Sequence, residues 1–249
     1  MILNEGTKRQ LRMMNQEEYI SAFELTEKDP TTIGMPFVTR FERMVDSAYQ
    51  QKYNGRVQKL EKGAKLKFPH ADVHDIVYAE NRPIDRNVIT DLASGRYIDD
   101  CCSIVLQGYA SSGKTFLACA LAREACRQLH SAYYIRMPDL LSLNAEKLQL
   151  TGSNEKLLRK FARYRVLVID EWLIYELSKV DLNFMFELTE RRYDCTSTIF
   201  CTLFRWEDWL KRLGGGGQAE SIVERFRYTS TTVETGDVNM RQIFHPKEN

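Results

Sequence analysis

The feature that most constrains this chain is Gly108-Tyr109-Ala110-Ser111-Ser112-Gly113-Lys114-Thr115, because of what flanks it. A short β-branched run, Ser103-Ile-Val-Leu106, precedes it, and a helical pattern from Lys114 to His130 follows directly. Strand, Gly-x-x-x-x-Gly-Lys-Thr and helix together make a phosphate-binding loop. Glycines let the backbone wrap a triphosphate closely enough to aim successive N–H groups at its oxygens, and the helix N-terminus adds partial positive charge. Lys114 is expected to reach the β- and γ-phosphates, and Thr115 to place its hydroxyl on Mg2+. The expected nucleotide contacts are the loop from Gly108 to Thr115 together with Phe116 and Asp170. A glycine-rich turn without a ligand is the alternative, and the strand-loop-helix context speaks against it.

Asp170 belongs to the second element, Val166-Leu-Val-Ile169-Asp170-Glu171, an apolar strand that delivers two adjacent carboxylates at its C-terminal end. This is a Walker B pattern. Open α/β sheets bind ligands beyond the carboxyl ends of their strands, so both carboxylates are expected beside the loop. Asp170 is expected to hold Mg2+, mostly through water, and Glu171 to orient and polarise the water that attacks the γ-phosphate. A small-molecule kinase needs an arginine-rich lid, and none stands out between Thr115 and Trp172. ATP hydrolysis is therefore favoured over phosphoryl transfer.

The rest of the chain divides by texture. Residues 1–75 read as a small N-terminal helical domain and 76–249 as the ATPase domain. Asn15 with Glu18 resembles a capping box opening a helix towards Glu27, and Asp29-Pro30 breaks it. In the next, long helix Met35, Phe37, Val38, Phe41, Met44, Val45 and Ala48 recur at helical spacing, giving an apolar face to dock. Past Phe68-Pro69, five short strands starting near 103, 132, 166, 198 and 231 alternate with helical stretches, which predicts an α/β fold with a parallel five-stranded sheet and flanking helices. A strand between the loop strand and the Asp170-Glu171 strand marks the additional-strand ATPases. Gly214 to Gly217 reads as a flexible connection between two helices.

Charge and cysteine content bound the rest. The 249 residues carry 35 basic and 34 acidic side chains, which argues against wholesale polyanion binding and confines any nucleic-acid contact to local patches. Between Lys52 and Lys67 there are six basic residues, Lys52, Arg56, Lys59, Lys62, Lys65 and Lys67, against Glu61 alone. Lys156, Arg159, Lys160 and Arg163, with Arg165, stripe a helix before the Walker B strand. Either set could track DNA phosphates, or serve as a solvated face or subunit interface. Trp206 and Trp209 fall at a spacing that favours core packing over base stacking. The six cysteines read as reduced core residues, and His70-Ala-Asp-Val-His74 lacks the partner cluster a metal site needs. With no apolar run of membrane-spanning length and no apolar core after the basic N-terminus, the expectation is a cytoplasmic protein with no membrane partner.

These residues resemble the IstB-like, DnaC-like branch of AAA+ ATPases. The resemblance runs from about Phe37 to Arg241 through the phosphate loop, the Val166 to Glu171 strand, Ser197 to Leu203, Glu207-Asp208-Trp209, Ile222-Val-Glu-Arg225-Phe226 and Gly236-Asp237. It implies an ATPase that assembles as a homo-oligomer with ATP on duplex DNA and assists a transposase, or alternatively loads a replicative helicase. It also implies that Arg225 is an arginine finger acting in a neighbouring subunit's ATP site. Thr202 occupies the sensor position, followed by Leu203 where relatives carry an amide, so hydrolysis is expected to be slow and dependent on oligomer and DNA. If Leu203 abolishes turnover, the chain is an ATP-gated DNA-binding scaffold. The segment from Gly236 to Arg241 is one residue longer than the family's pattern, leaving Arg241 without an assigned role.

Overall fold

A computed structural model of the chain describes residues 2–32, 34–79 and 81–244. Two compact units are present, Met1–Lys59 and Leu60–Asn249. This division precedes the expected one at residue 75 because Ala64, Leu66 and Ala71, with Leu60 against them, pack into the hydrophobic core of the second unit.

The first unit contains α1 (Glu5–Met13), α2 (Glu18–Lys28) and most of α3 (Phe37–Ala64). Asn4 caps α1, its Oδ1 accepting from the Thr7 N–H at 2.8 Å. The expected cap of α2 is not formed: Glu17 is the N-cap residue and makes no side-chain cap bond. Asn15 instead adopts a left-handed turn at φ 55°, a conformation asparagine tolerates, and its carbonyl accepts from Lys52 Nζ at 2.8 Å. On α3, Ala48 is buried, but Phe37, Val38 and Phe41 stay exposed.

The second unit runs α4 (Arg86–Ala93), α5 (Arg96–Asp99), β1 (Ser103–Gln107), α6 (Lys114–Arg127), β2 (Ala132–Arg136), α7 (Met137–Thr151), α8 (Glu155–Ala162), β3 (Val166–Trp172), α9 (Lys179–Arg192), β4 (Ser197–Thr202), α10 (Trp206–Arg212), α11 (Gly216–Tyr228), β5 (Ser230–Glu234) and α12 (Met240–Phe244). The five strands form one parallel sheet in the order β2-β3-β4-β1-β5. Alternate side chains enter opposite cores. Ile104, Leu106, Val166, Val168, Ile199 and Cys201 pack with residues of α4 and α6. Val105, Leu167, Ile169 and Phe200 pack with residues of α7 to α11.

Two details correct or extend the sequence reading. The glycine run is not a free connection: Gly214, Gly215 and Gly216 take positive φ in a tight turn, and Gly216 and Gly217 already belong to α11. Trp209 is core, its ring 5.4 Å from that of Trp172 and 5.6 Å from that of Phe200. Arg192, fully buried, donates to Thr198 Oγ1, to the carbonyls of Phe161 and Tyr164 at 2.8 and 2.9 Å, and to the Ser197 carbonyl. It ties the end of α8 to the start of β4, and burial lowers its pKa to about 9.

Candidate active site

The C-terminal ends of β1, β2, β3 and β4 converge on the loop between β1 and α6. Gly113 is the N-cap of α6 at φ 91°, so the helix begins on a left-handed glycine with its first turn at Lys114-Thr115. Gly108 admits no side chain: a Cβ there would lie 2.2 Å from Thr235 Oγ1 and 2.9 Å from the Gly236 carbonyl. The loop is braced from behind. Ser112 Oγ lies 2.6 Å from Thr235 Oγ1, Tyr109 N–H donates to the Gly236 carbonyl at 3.0 Å, and Met240 N–H donates to the Ser111 carbonyl at 2.9 Å. Arg82 donates to the Ser112 carbonyl at 2.8 Å and to the Val77 carbonyl. Tyr109 and Ala110 are exposed at the tip, and the half-buried Phe116 lies 6.0 Å from the ring of Phe68.

Lys114 folds over the loop, donating to the carbonyls of Gly108 at 2.8 Å and Tyr109 at 2.6 Å, with Ser112 Oγ at 3.4 Å. Burial lowers its pKa from the ordinary lysine value. Thr115 Oγ1 donates to Asp170 Oδ2 at 2.9 Å, so the loop and the Walker B strand meet as the sequence predicts. Asp170 is 4% exposed. Tyr134 on β2 donates to the same Oδ2 at 2.7 Å, and the Glu171 N–H donates to Oδ1 at 2.9 Å.

Asp170 and Glu171 do not end the strand but form a bulge inside it. Pairing between β3 and β4 shifts register between Ile169 and Trp172, and Glu171 and Leu173 both adopt φ 58°. Non-glycine residues in that region store on the order of 1–3 kcal/mol each, and such strain gathers at functional sites. The bulge aims neighbouring carboxylates in different directions. Glu171 is half-exposed and accepts from Arg136 Nη2 at 2.7 Å. Thr202 is buried, donates to the Trp172 carbonyl at 3.2 Å and accepts from the Phe204 N–H at 3.1 Å. Its proton straps β4 to β3.

Arg225 sits away from this cluster on α11. It forms an ion pair with Glu190 at 2.5 Å, bonds to Ser221, and lies 5.5 Å from the ring centre of Tyr193. The two basic patches lie elsewhere. Lys156, Arg159, Lys160 and Arg163 are exposed on and just after α8, and Lys160 lies 5.1 Å from the ring centres of Tyr133 and Phe161. Lys156, Arg159 and Arg163 line a shallow hollow with Arg191 of α9. Arg56, Lys59, Lys62, Lys65 and Lys67 are exposed, whereas Lys52 is half-buried and bonded to Asn15.

Sequence reasoning did not single out Tyr134, Arg136, Arg82, Thr235, Glu190 or Arg191. For Tyr134 and Arg136 a signal existed: once β2 is placed beside β3, parallel register sets Arg136 opposite Asp170.

The strand order, the phosphate loop and the adjoining carboxylates define an ATP-binding P-loop protein of the AAA+ class with the additional strand. The chain belongs to the IstB-like ATP binding protein family, whose model matches residues 9–246. It is 31% identical over 201 residues to the ATP-binding protein of insertion sequence IS1162 from Pseudomonas fluorescens, covering 80% of this chain and 85% of that one. To the insertion-sequence ATP-binding protein y4uH of Sinorhizobium fredii it is 30% identical over 210 residues, 82% of each. The fold is shared with the crystal structure of the DnaC helicase loader, at TM-score 0.56 and 21% identity over 66% of this chain and 96% of that one. It is shared equally with the replication initiator DnaA bound to AMPPCP and single-stranded DNA, at TM-score 0.56 and 17% identity over 68% and 50%. No helix among the described residues is long and apolar enough to cross a membrane.

Proposed function

We propose that this protein hydrolyses ATP slowly, in a site holding Mg2+, and that its ATP-bound form assembles into oligomers on duplex DNA to assist a transposase. The observation that carries the reading is the Thr115 to Asp170 hydrogen bond with Glu171 beside it, because it joins the phosphate loop to a pair of carboxylates in different environments. The donor set fits Mg2+: Thr115 and Asp170 offer hard oxygens. Mg2+ typically binds through one or two carboxylates plus substrate phosphates, which Asp170 beside the phosphate loop would provide. Bound there, the cation would neutralise phosphate charge.

Lys114 and the loop amides bind the phosphates, Lys114 exchanging its bonds to the Gly108 and Tyr109 carbonyls for phosphate oxygens. Glu171 orients the attacking water and takes its proton, which requires the Arg136 ion pair to open first. With Thr202 bonded to Trp172 and Leu203 following it in place of an amide, Thr202 alone serves the sensor position, and turnover is slow. Arg225 leaves Glu190 to stabilise γ-phosphate charge in a neighbouring subunit. The exposed cations of α8, and Arg56 to Lys67, hold DNA through its phosphates, independently of sequence.

The test is ATP turnover with and without duplex DNA, beside binding of a fluorescent ATP analogue. Glu171→Gln is expected to keep binding and lose turnover by roughly 10²–10⁴-fold, the range of a general base. Equal turnover in the variant and the wild type would overturn the assignment.

A further inference from the structure

We propose that Tyr134 is a positioning residue of the cation site: its hydroxyl fixes the Asp170 carboxylate in the orientation that meets Thr115 and the divalent cation. The inference rests on the nucleotide-site reading above. Asp170 is 4% exposed, so its charge has little help from bulk water and depends on donors supplied by the fold. Three hydrogen bonds from hydroxyl and amide donors supply it, and the Cys201 thiol also bonds to it. Thr115 reaches Oδ2 at 2.9 Å from the phosphate loop, the Glu171 N–H reaches Oδ1 at 2.9 Å from within the bulge, and Tyr134 reaches Oδ2 at 2.7 Å from β2.

These donors are not equivalent. Thr115 sits in the first turn of α6, directly after the phosphate loop, and Glu171 sits on strained backbone at φ 58°. Tyr134 lies on a regular strand whose register with β3 is unbroken from Ala132 opposite Val166 to Arg136 opposite Asp170. Its ring is itself buried, and two side-chain torsions fix its hydroxyl, so the fold holds this donor in place. Both acceptor positions of Oδ2 are then filled by hydroxyls. Thr115 can turn a lone pair to the cation while its proton stays on Oδ2. With that oxygen filled, Asp170 would hold a cation through water rather than directly through Oδ2. Hydrogen bonds that orient a group at a metal site without touching the metal are worth roughly 10–100-fold in metal affinity.

The experiment titrates Mg2+ against binding of a fluorescent ATP analogue to the full chain, starting from EDTA. Wild type, Tyr134→Phe, Asp170→Asn and the double variant are compared, with thermal melts to confirm folding. Tyr134→Phe is expected to match wild type in EDTA but to need about tenfold more Mg2+ for half-maximal effect. The double variant is expected to be no worse than Asp170→Asn alone, since Tyr134 acts through that carboxylate. A normal Mg2+ midpoint in Tyr134→Phe while Asp170→Asn is shifted would overturn the role of Tyr134 and leave the site intact. Additive losses in the double variant would also overturn it. Should Asp170→Asn leave the midpoint unchanged, the cation-site reading itself fails, and the proposal with it.

Discussion

At the C-terminal end of the sheet Asp170, Glu171 and Ser112 each have a definite side-chain partner, whereas on the α8–α9 face two arginines share the Glu155 carboxylate and further cations stay exposed. Asp170 accepts from Thr115 and Tyr134, Glu171 from Arg136, and Ser112 pairs with Thr235. On the other face Glu155 accepts from Arg159 at 2.7 Å and from Arg191 at 2.7 and 3.0 Å, while Lys156 and Arg163 stay exposed. Hydrogen bonds from Arg191 and Arg159 lower the pKa of the Glu155 carboxyl to about 2. The contrast fits the ligand proposed for each surface. A triphosphate of one shape needs donors fixed to fractions of an ångström, and a polyanion needs only enough charge along its path.

The comparison can be broken first at its ordered end. Lys114→Ala removes charge-assisted bonds to phosphate and is expected to weaken binding of a fluorescent ATP analogue by roughly ten- to a hundredfold. Unchanged affinity would remove the loop from nucleotide binding. Arg136→Ala probes the restraint on Glu171. Its side chains are 41% and 33% exposed, so solvent screening limits the ion pair to about 1 kcal/mol, and basal turnover without DNA should rise about fivefold. A fall in basal turnover would instead make Arg136 part of the catalytic machinery. The smallest effect is expected on the diffuse face. Arg163→Ala should lower the slope of log affinity for duplex DNA against log salt by about 0.9, shrinking the affinity ratio between about 50 and 200 mM salt roughly threefold. An unchanged slope would take α8 off the DNA path.

The same contrast explains what could be read from the chain beforehand. The phosphate loop, the Walker B strand and all five strands were legible because each is a local pattern of fixed spacing or a β-rich run. Tyr134 and Arg136 were not singled out, because their role appears only when two segments separated by α7 and α8 are laid in register. Helix α1 lies within the stretch that reads as helical from the N-terminus, but it buries no residue. The Asn15 cap failed for a local reason: asparagine serves equally as a left-handed turn residue, and the chain uses it so. The glycine run read as slack, though three successive positive-φ positions make it a turn that starts α11. Arg225 was picked out by resemblance, but its ion pair with Glu190 is a contact between helices that spacing alone does not encode.

The central claim is that ATP drives this chain to assemble on duplex DNA through Arg225. Light scattering with ATP and Mg2+, comparing duplex with single-stranded DNA for wild type and Arg225→Ala, tests it most directly. The account predicts particles that grow on duplex only when ATP is present, and no growth in Arg225→Ala. Growth without ATP, equal growth in the variant, or growth confined to single strands would contradict it.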